Sequence, residues 1–158
     1  MKKLLSIILT TILLISLSSI TTYAQSPEII ISETTEYFED GTSITTTITQ
    51  LSSNDLTRAT KTITGSKTKT VKNGDGDVLY KFKVTGTFTV NEGVSATCTA
   101  VSCSASNLAS GWSLDSSTKS KSGNKATATG VFKYTVLFIS TTQETTATLT
   151  CDKNGNLS

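Results

Sequence analysis

The chain of 158 residues has no histidine, a single proline and three cysteines, and only 16% of it is charged. Each shortage removes a class of chemistry. Without histidine there is no Ser-His-Asp or Cys-His catalysis and no His-ligated zinc. Cys98, Cys103 and Cys151 are too few and too dispersed for a Cys-rich metal site, and they lack the C-x-x-C spacing of redox catalysis. The lone Pro27 argues against a mucin-like stalk, which would combine Ser/Thr with proline and show no apolar alternation. No segment reads as a helix, so no glycine-rich loop can open onto one to cradle a phosphate.

Carboxylates are the remaining catalytic currency. Asp75 and Asp77 are neighbours in a turn, which is not the geometry of two carboxyls flanking a glycosidic bond in a cleft. The expectation is a protein that is not an enzyme, with no catalytic residues and no cofactor. Asn73-Asp75-Asp77 and Asp152-Asn154-Asn156 have the every-second-residue spacing of a calcium loop. Both lack its Gly at position 6, its Glu at position 12 and its flanking helices. Turn chemistry explains them more simply, so no metal is expected.

What is present begins with a leader. Lys2 and Lys3 precede an apolar and Ser/Thr-containing run, Leu4 to Ile20, and Thr22-Tyr23-Ala24 puts small residues at the −3 and −1 positions. This reads as a signal peptide over residues 1–24, cleaved before Gln25. The run approaches the length of a membrane span, but the cleavage pattern and the Ser/Thr in its second half favour removal. No cysteine stands just after the cleavage point, as a lipoprotein anchor would need, and no apolar tail ends the sequence. The expectation is a secreted, extracellular protein with no stable membrane anchor after cleavage.

Residues 25–158 fit one domain, with enough chain for one core. Without Lys2 and Lys3, 12 basic residues face 12 acidic ones, so net charge gives no reason to expect nucleic acid as a partner. The charges are segregated: Glu28 to Asp55 is acidic and Arg58 to Lys83 is mostly basic. Complementary neighbouring strands explain this better than a basic docking surface.

Threonine fills 28 of these positions and serine 18, which suits the wet faces of strands. The clearest strand is Val78 to Val90, with Val78, Tyr80, Phe82, Val84, Gly86, Phe88 and Val90 on one face and mainly Lys and Thr on the other. Ala126, Ala128, Gly130, Phe132, Tyr134, Val136 and Phe138 repeat that pattern. At ~3.3 Å per residue such strands would reach about 40 Å, so a bend or close backbone approach is expected at Gly86 and Gly130. Glu144 to Cys151 is the last strand. Residues 28–51 read as an N-terminal, peripheral hairpin around Asp40-Gly41, with Ile44 and Ile48 inward. Ala59 to Val71, with its alternating lysines, reads as a solvent-facing edge. Ser52 to Asp55 and Ser104 to Gly111 read as loops. About eight strands with hairpin-length connections predict an all-β fold: an antiparallel β-sandwich, or a small β-barrel as the alternative.

The order Gly86-Thr87-Phe88, Ala96-Thr97-Cys98-Thr99, Trp112-Ser113, Lys121 to Ala126 and the ending Thr148-Leu-Thr-Cys-Asp-Lys-Asn-Gly-Asn-Leu-Ser158 resembles a group of small, largely uncharacterised secreted proteins of Gram-positive bacteria. The resemblance runs from about Gly65 to the end and implies secretion and an all-β domain. It supplies no catalytic residue. Members are similar in the cysteines matching Cys98 and Cys151, while Cys103 departs from the pattern.

Three cysteines in an exported chain suggest one disulfide. By parity Cys98 faces in with Ala96, Cys151 faces in with Leu149, and Cys103 faces out. Cys98–Cys151 is therefore the expected bridge, with Cys98–Cys103 as the short-loop rival and three reduced thiols as the remaining option. Closing ~50 residues would contribute roughly 4 kcal/mol in the loop-entropy account.

Trp112, at a loop–strand junction, is the one candidate ligand contact, since an exposed aromatic face stacks on sugar rings. Packing is the commoner role of such a residue, and Tyr80 and Tyr134 are expected in the core. The functional expectation is a non-catalytic surface interaction or structural module whose partner is a cell-wall or host glycan or a protein. A carbohydrate-binding module is the specific alternative. A pore-forming hairpin at residues 28–51 lacks the outward apolar band such barrels need.

Overall fold

β-Branched and aromatic side chains on alternate positions pack well on a pleated surface, and the hydrophilic turns between them carry Gly, Asn and Asp. The computed structural model describes residues 27–51 and 60–158. The expected signal peptide and the expected Ser52–Asp55 loop fall outside the described residues. The fold is all-β, with eight strands and no helix among those residues: β1 (Glu28–Tyr37), β2 (Ser43–Leu51), β3 (Thr60–Lys72), β4 (Val78–Asn91), β5 (Ser95–Ser106), β6 (Trp112–Ser122), β7 (Lys125–Val136) and β8 (Ile139–Thr150). They form two antiparallel sheets, a five-stranded one in the order β1-β2-β3-β4-β5 and a three-stranded one in the order β6-β7-β8.

The sheets meet through complementary sizes. Large side chains of β4 (Tyr80, Phe82, Phe88) face mainly small ones of β7 and β8 (Ala126, Ala128, Ala147), and all of these are buried. Gly86 and Gly130 permit this contact. A Cβ on Gly86 would lie 2.9 Å from that of Ala126, and one on Gly130 would lie 2.9 Å from the Phe82 ring. What crowds both glycines is side chains, Phe88 and Ala126 at Gly86 and Phe82 and Phe132 at Gly130, and not the second backbone that the sequence suggested. The small sheet packs across β3, β4 and β5, while β1 and β2 extend beyond it.

Three readings from the sequence need correction. The lysine-rich strand β3 is not an edge: it lies between β2 and β4. Lys67 and Lys69 pair with Val84 and Phe82, so they sit half-buried on the core-side face. Burial, and then repulsion from Lys69, lowers the Lys67 pKa. The edges are β1 and β5, and β1 is exposed along its whole length and bulged after Ile30, with Ile48 on β2 buried behind it.

The second correction concerns parity. Thr87 pairs with Ala100 but Phe88 with Cys98, so Thr99 is an extra residue in β5. A bulge of this kind shifts every later side chain to the opposite face. Val101, Cys103 and Ala105 therefore turn inward with Cys98, while Ala100 is exposed. Cys103 thus faces in. Strand β5 also continues to Ser106, shortening the expected loop to residues 107–111.

The third correction concerns β7. Its inward alternation stops at Phe132, for reasons that belong to the next section.

Candidate interaction surface

Tyr134, Val136 and Phe138 continue the sequence parity of Phe132, yet the chain reverses among them. Val136 pairs with Ile139, leaving Leu137 and Phe138 as a two-residue turn with φ of 43° and 73°. Two successive positive φ values define the type I′ reversal that matches strand twist, normally built from Asn-Gly or Asp-Gly. Leu and Phe place a Cβ where the left-handed region resists it. Phe138, expected inside, is 102% exposed, Leu137 85% and Ile139 73%. The hairpin extends past the start of β6, whose first residue Trp112 pairs with Tyr134. Residues 136–139 therefore stand clear of β6.

An aromatic column connects this tip to the core. Phe82 meets Phe132 edge-on with ring centroids 5.7 Å apart, and Phe132 stacks on Tyr80 at 3.7 Å. Tyr80 leans on Trp112 at 5.1 Å, and Trp112 stacks on Tyr134 at 5.2 Å. Gly111 seats the outer end. Its φ is +83°, a Cβ there would lie 2.9 Å from the Tyr134 ring, and its carbonyl accepts the Thr135 amide at 3.0 Å. Trp112 is half-buried with a tyrosine ring against it on two sides, and Tyr134, expected in the core, is 36% exposed.

The other candidates from the sequence are distributed elsewhere. Cys98, Cys103 and Cys151 are free thiols, so the expected Cys98–Cys151 bridge is not formed in this structure. Cys98 and Cys151 are nevertheless tied to the same turn: their amides donate to the carbonyls of Gly123 and Asn124 at 2.8 and 3.0 Å. Burial raises both thiol pKa values, that of Cys151 to about 11, with the nearby Asp152 charge adding to it.

The two calcium-like runs spend their oxygens on their own backbone. Asn73 Oδ1 accepts the amides of Asp75 and Asp77 at 3.1 and 2.8 Å, and Asp152 Oδ1 accepts those of Asn154 and Asn156 at 2.8 and 2.9 Å. These are Asx turns. Among the described residues no three His, Cys, Asp or Glu side chains gather around a point where a metal could sit.

A polar groove of about 210 Å³ lies on the five-stranded sheet beside Glu28, Ser66 and Lys83. The Glu28 carboxylate is tied down there through one oxygen, Oε1. It accepts hydrogen bonds from Thr49, from Ser66 at 2.8 Å and from Lys83 at 3.0 Å, and its pKa falls to about 2. The Thr49 bond contributes most to the shift. The groove has no aromatic ring in its lining.

The feature that sequence reasoning missed is the tip itself. Leu137-Phe138 has no turn chemistry, and the residues around it alternate as a strand should. The only trace is length: a run to Phe138 would be too long for one straight strand. No protein-family model, curated protein or solved structure matches this chain.

Proposed function

We propose that this protein is a secreted, non-catalytic β-sandwich domain that works by surface contact outside the cell. One observation carries the reading. A frame of two packed sheets holds Val136, Leu137, Phe138 and Ile139 in solvent, at the end of an aromatic column rooted in the core. Exposed apolar groups so concentrated are marks of an interaction site. The leader over residues 1–24 supports export, as does the likeness of the ending Thr148–Ser158 to that of secreted Gram-positive proteins.

The glycan-binding alternative rests on Trp112. Tyr80 and Tyr134 occupy two sides of its ring, so it has less free face for a sugar than an open platform would. Retention of the protein on cell-wall, glycan and extracellular protein fractions tests both readings. Retention lost with L137N/F138G supports contact through the tip. Loss with Trp112→Ala alone supports the glycan module. No retention on any fraction counts against both.

A further inference from the structure

The geometry points to a lipid bilayer with uncharged headgroups as the partner of the β7–β8 tip, which enters its interfacial region as a small apolar wedge. This rests on the surface-contact reading above and names the partner.

Four observations favour lipid over a protein pocket. The tip is convex and narrow, with four large apolar side chains splayed from a two-residue turn, a shape that suits a fluid apolar phase. Its backbone is already paired: Val136 bonds with Ile139 across the tightest reversal a hairpin allows. Few bare amides and carbonyls would therefore enter hydrocarbon, where each is costly. No residue from Tyr134 to Gln143 is charged, so no ionised group has to follow the wedge. Behind the wedge, Tyr134 and Trp112 stack at the depth where amphipathic rings collect at membrane surfaces.

The charge distribution selects the headgroup. The β3–β4 turn, with Asp75 and Asp77, lies at the same end of the molecule, because β4 begins just before Tyr80, which meets Trp112, the ring stacked on Tyr134. Asp40 joins it, since Gly41 packs on Gly74. Lys72, Lys81 and Lys133 are the cations at this end, outnumbered by Glu36, Glu39, Asp40, Asp75 and Asp77, so the balance of charge opposes an anionic surface. Four apolar residues give a reversible, peripheral contact, unlike a spanning segment.

The backbone supplies an independent argument. Asn-Gly at 137–138 would relieve the turn, so the present pair trades local stability for apolar exposure. Strain kept at a solvent-facing site directs attention to function.

The test uses phosphatidylcholine vesicles, with the entire chain and with the chain begun at Gln25, so that the leader's own apolarity is separated from the tip's. Wild type is expected to float with the vesicles in both forms. Trp112 is the only tryptophan, and its emission should move to shorter wavelength. L137N/F138G should bind on the order of a hundredfold more weakly from Gln25, from the apolar area removed, while melting no lower than wild type. Phosphatidylglycerol in the vesicles should weaken wild-type binding.

Wild type from Gln25 staying in the aqueous fraction, or the variant floating as well as wild type, overturns the inference. A tip-dependent dimer without vesicle binding overturns it too. Tip-dependent retention on a protein or glycan fraction without vesicle binding removes the bilayer and leaves the contact reading standing.

Discussion

The Tyr80 hydroxyl and the Thr145 hydroxyl lie 2.8 Å apart, joining β4 of the large sheet to β8 of the small one inside the dry interior. Tyr80 is 0% exposed and Thr145 5%, so neither oxygen has water as a substitute partner. Tyr80→Phe should destabilise the domain by about 1–3 kcal/mol, because it strands the Thr145 hydroxyl. Adding Thr145→Val should recover most of the loss. Urea unfolding of both single variants and the double variant checks this; additive losses would show that the hydroxyls act independently.

Gly86→Ala and Gly130→Ala test the contact between the sheets. Each new methyl would meet an aromatic ring or a facing alanine at 2.7–2.9 Å, and Gly86 and Gly130 lie on opposite sheets. Each substitution should cost about 1–3 kcal/mol by overpacking. Thermal melts of both read the outcome, and no change in either would mean the sheets separate freely.

Acid should loosen the β1 edge before it unfolds the core. Glu28 has a pKa of about 2 in the fold against an ordinary 4.5, with the Thr49 hydrogen bond as the main cause and Lys83 and Ser66 adding to it. A depressed carboxyl pKa contributes stability that is fully present above the ordinary value and is lost as pH falls from there through about 2. The side chain is 41% exposed, so solvent screening keeps the contribution small. Hydrogen-exchange protection of the β1 amides, with the intrinsic exchange rate at each pH divided out, should fall over that range in wild type. Glu28→Gln should exchange faster at neutral pH and lose most of that dependence; identical profiles would remove Glu28 as the tie.

The thiols should separate by reactivity. Cys103 is half-buried on an edge strand, whereas Cys98 and Cys151 are buried and hold their protons more tightly than free thiols. At neutral pH one thiol should react quickly with a disulfide reagent and two only as the domain opens, since the thiolate is the nucleophile. All three should be counted in denaturant. A denatured count of one would show a bridge, and the identity of the labelled cysteine, Cys103 or Cys151, would tell Cys98–Cys151 from Cys98–Cys103.

Much of this was legible in local pattern, and its failures share one origin. Alternation at Tyr80, Phe82, Phe88, Ala126 and Phe132 marks the residues that meet between the sheets, and each is buried. The Asp-Gly, Asn-Gly and Ser-Gly turns fall where their chemistry suggests. Local parity puts Cys103 on the wrong face because one inserted residue, Thr99, reverses it. Its presence depends on how β4 pairs with β5, and nothing in β5 alone reveals it. The lysines of β3 suggested an edge because charge is usually exposed, but strand order is a property of partners.

Sequence alone determined that the chain would be extended, two-faced and without histidine chemistry, because side-chain alternation and residue identity are local. Tertiary structure decided which strands lie inside a sheet, which face Cys103 takes, and that Leu137 and Phe138 turn the chain in solvent. Those outcomes depend on pairing energies between segments far apart in the chain. A Leu-Phe reversal in particular is unfavourable by itself, and exists because the paired strands on either side hold it.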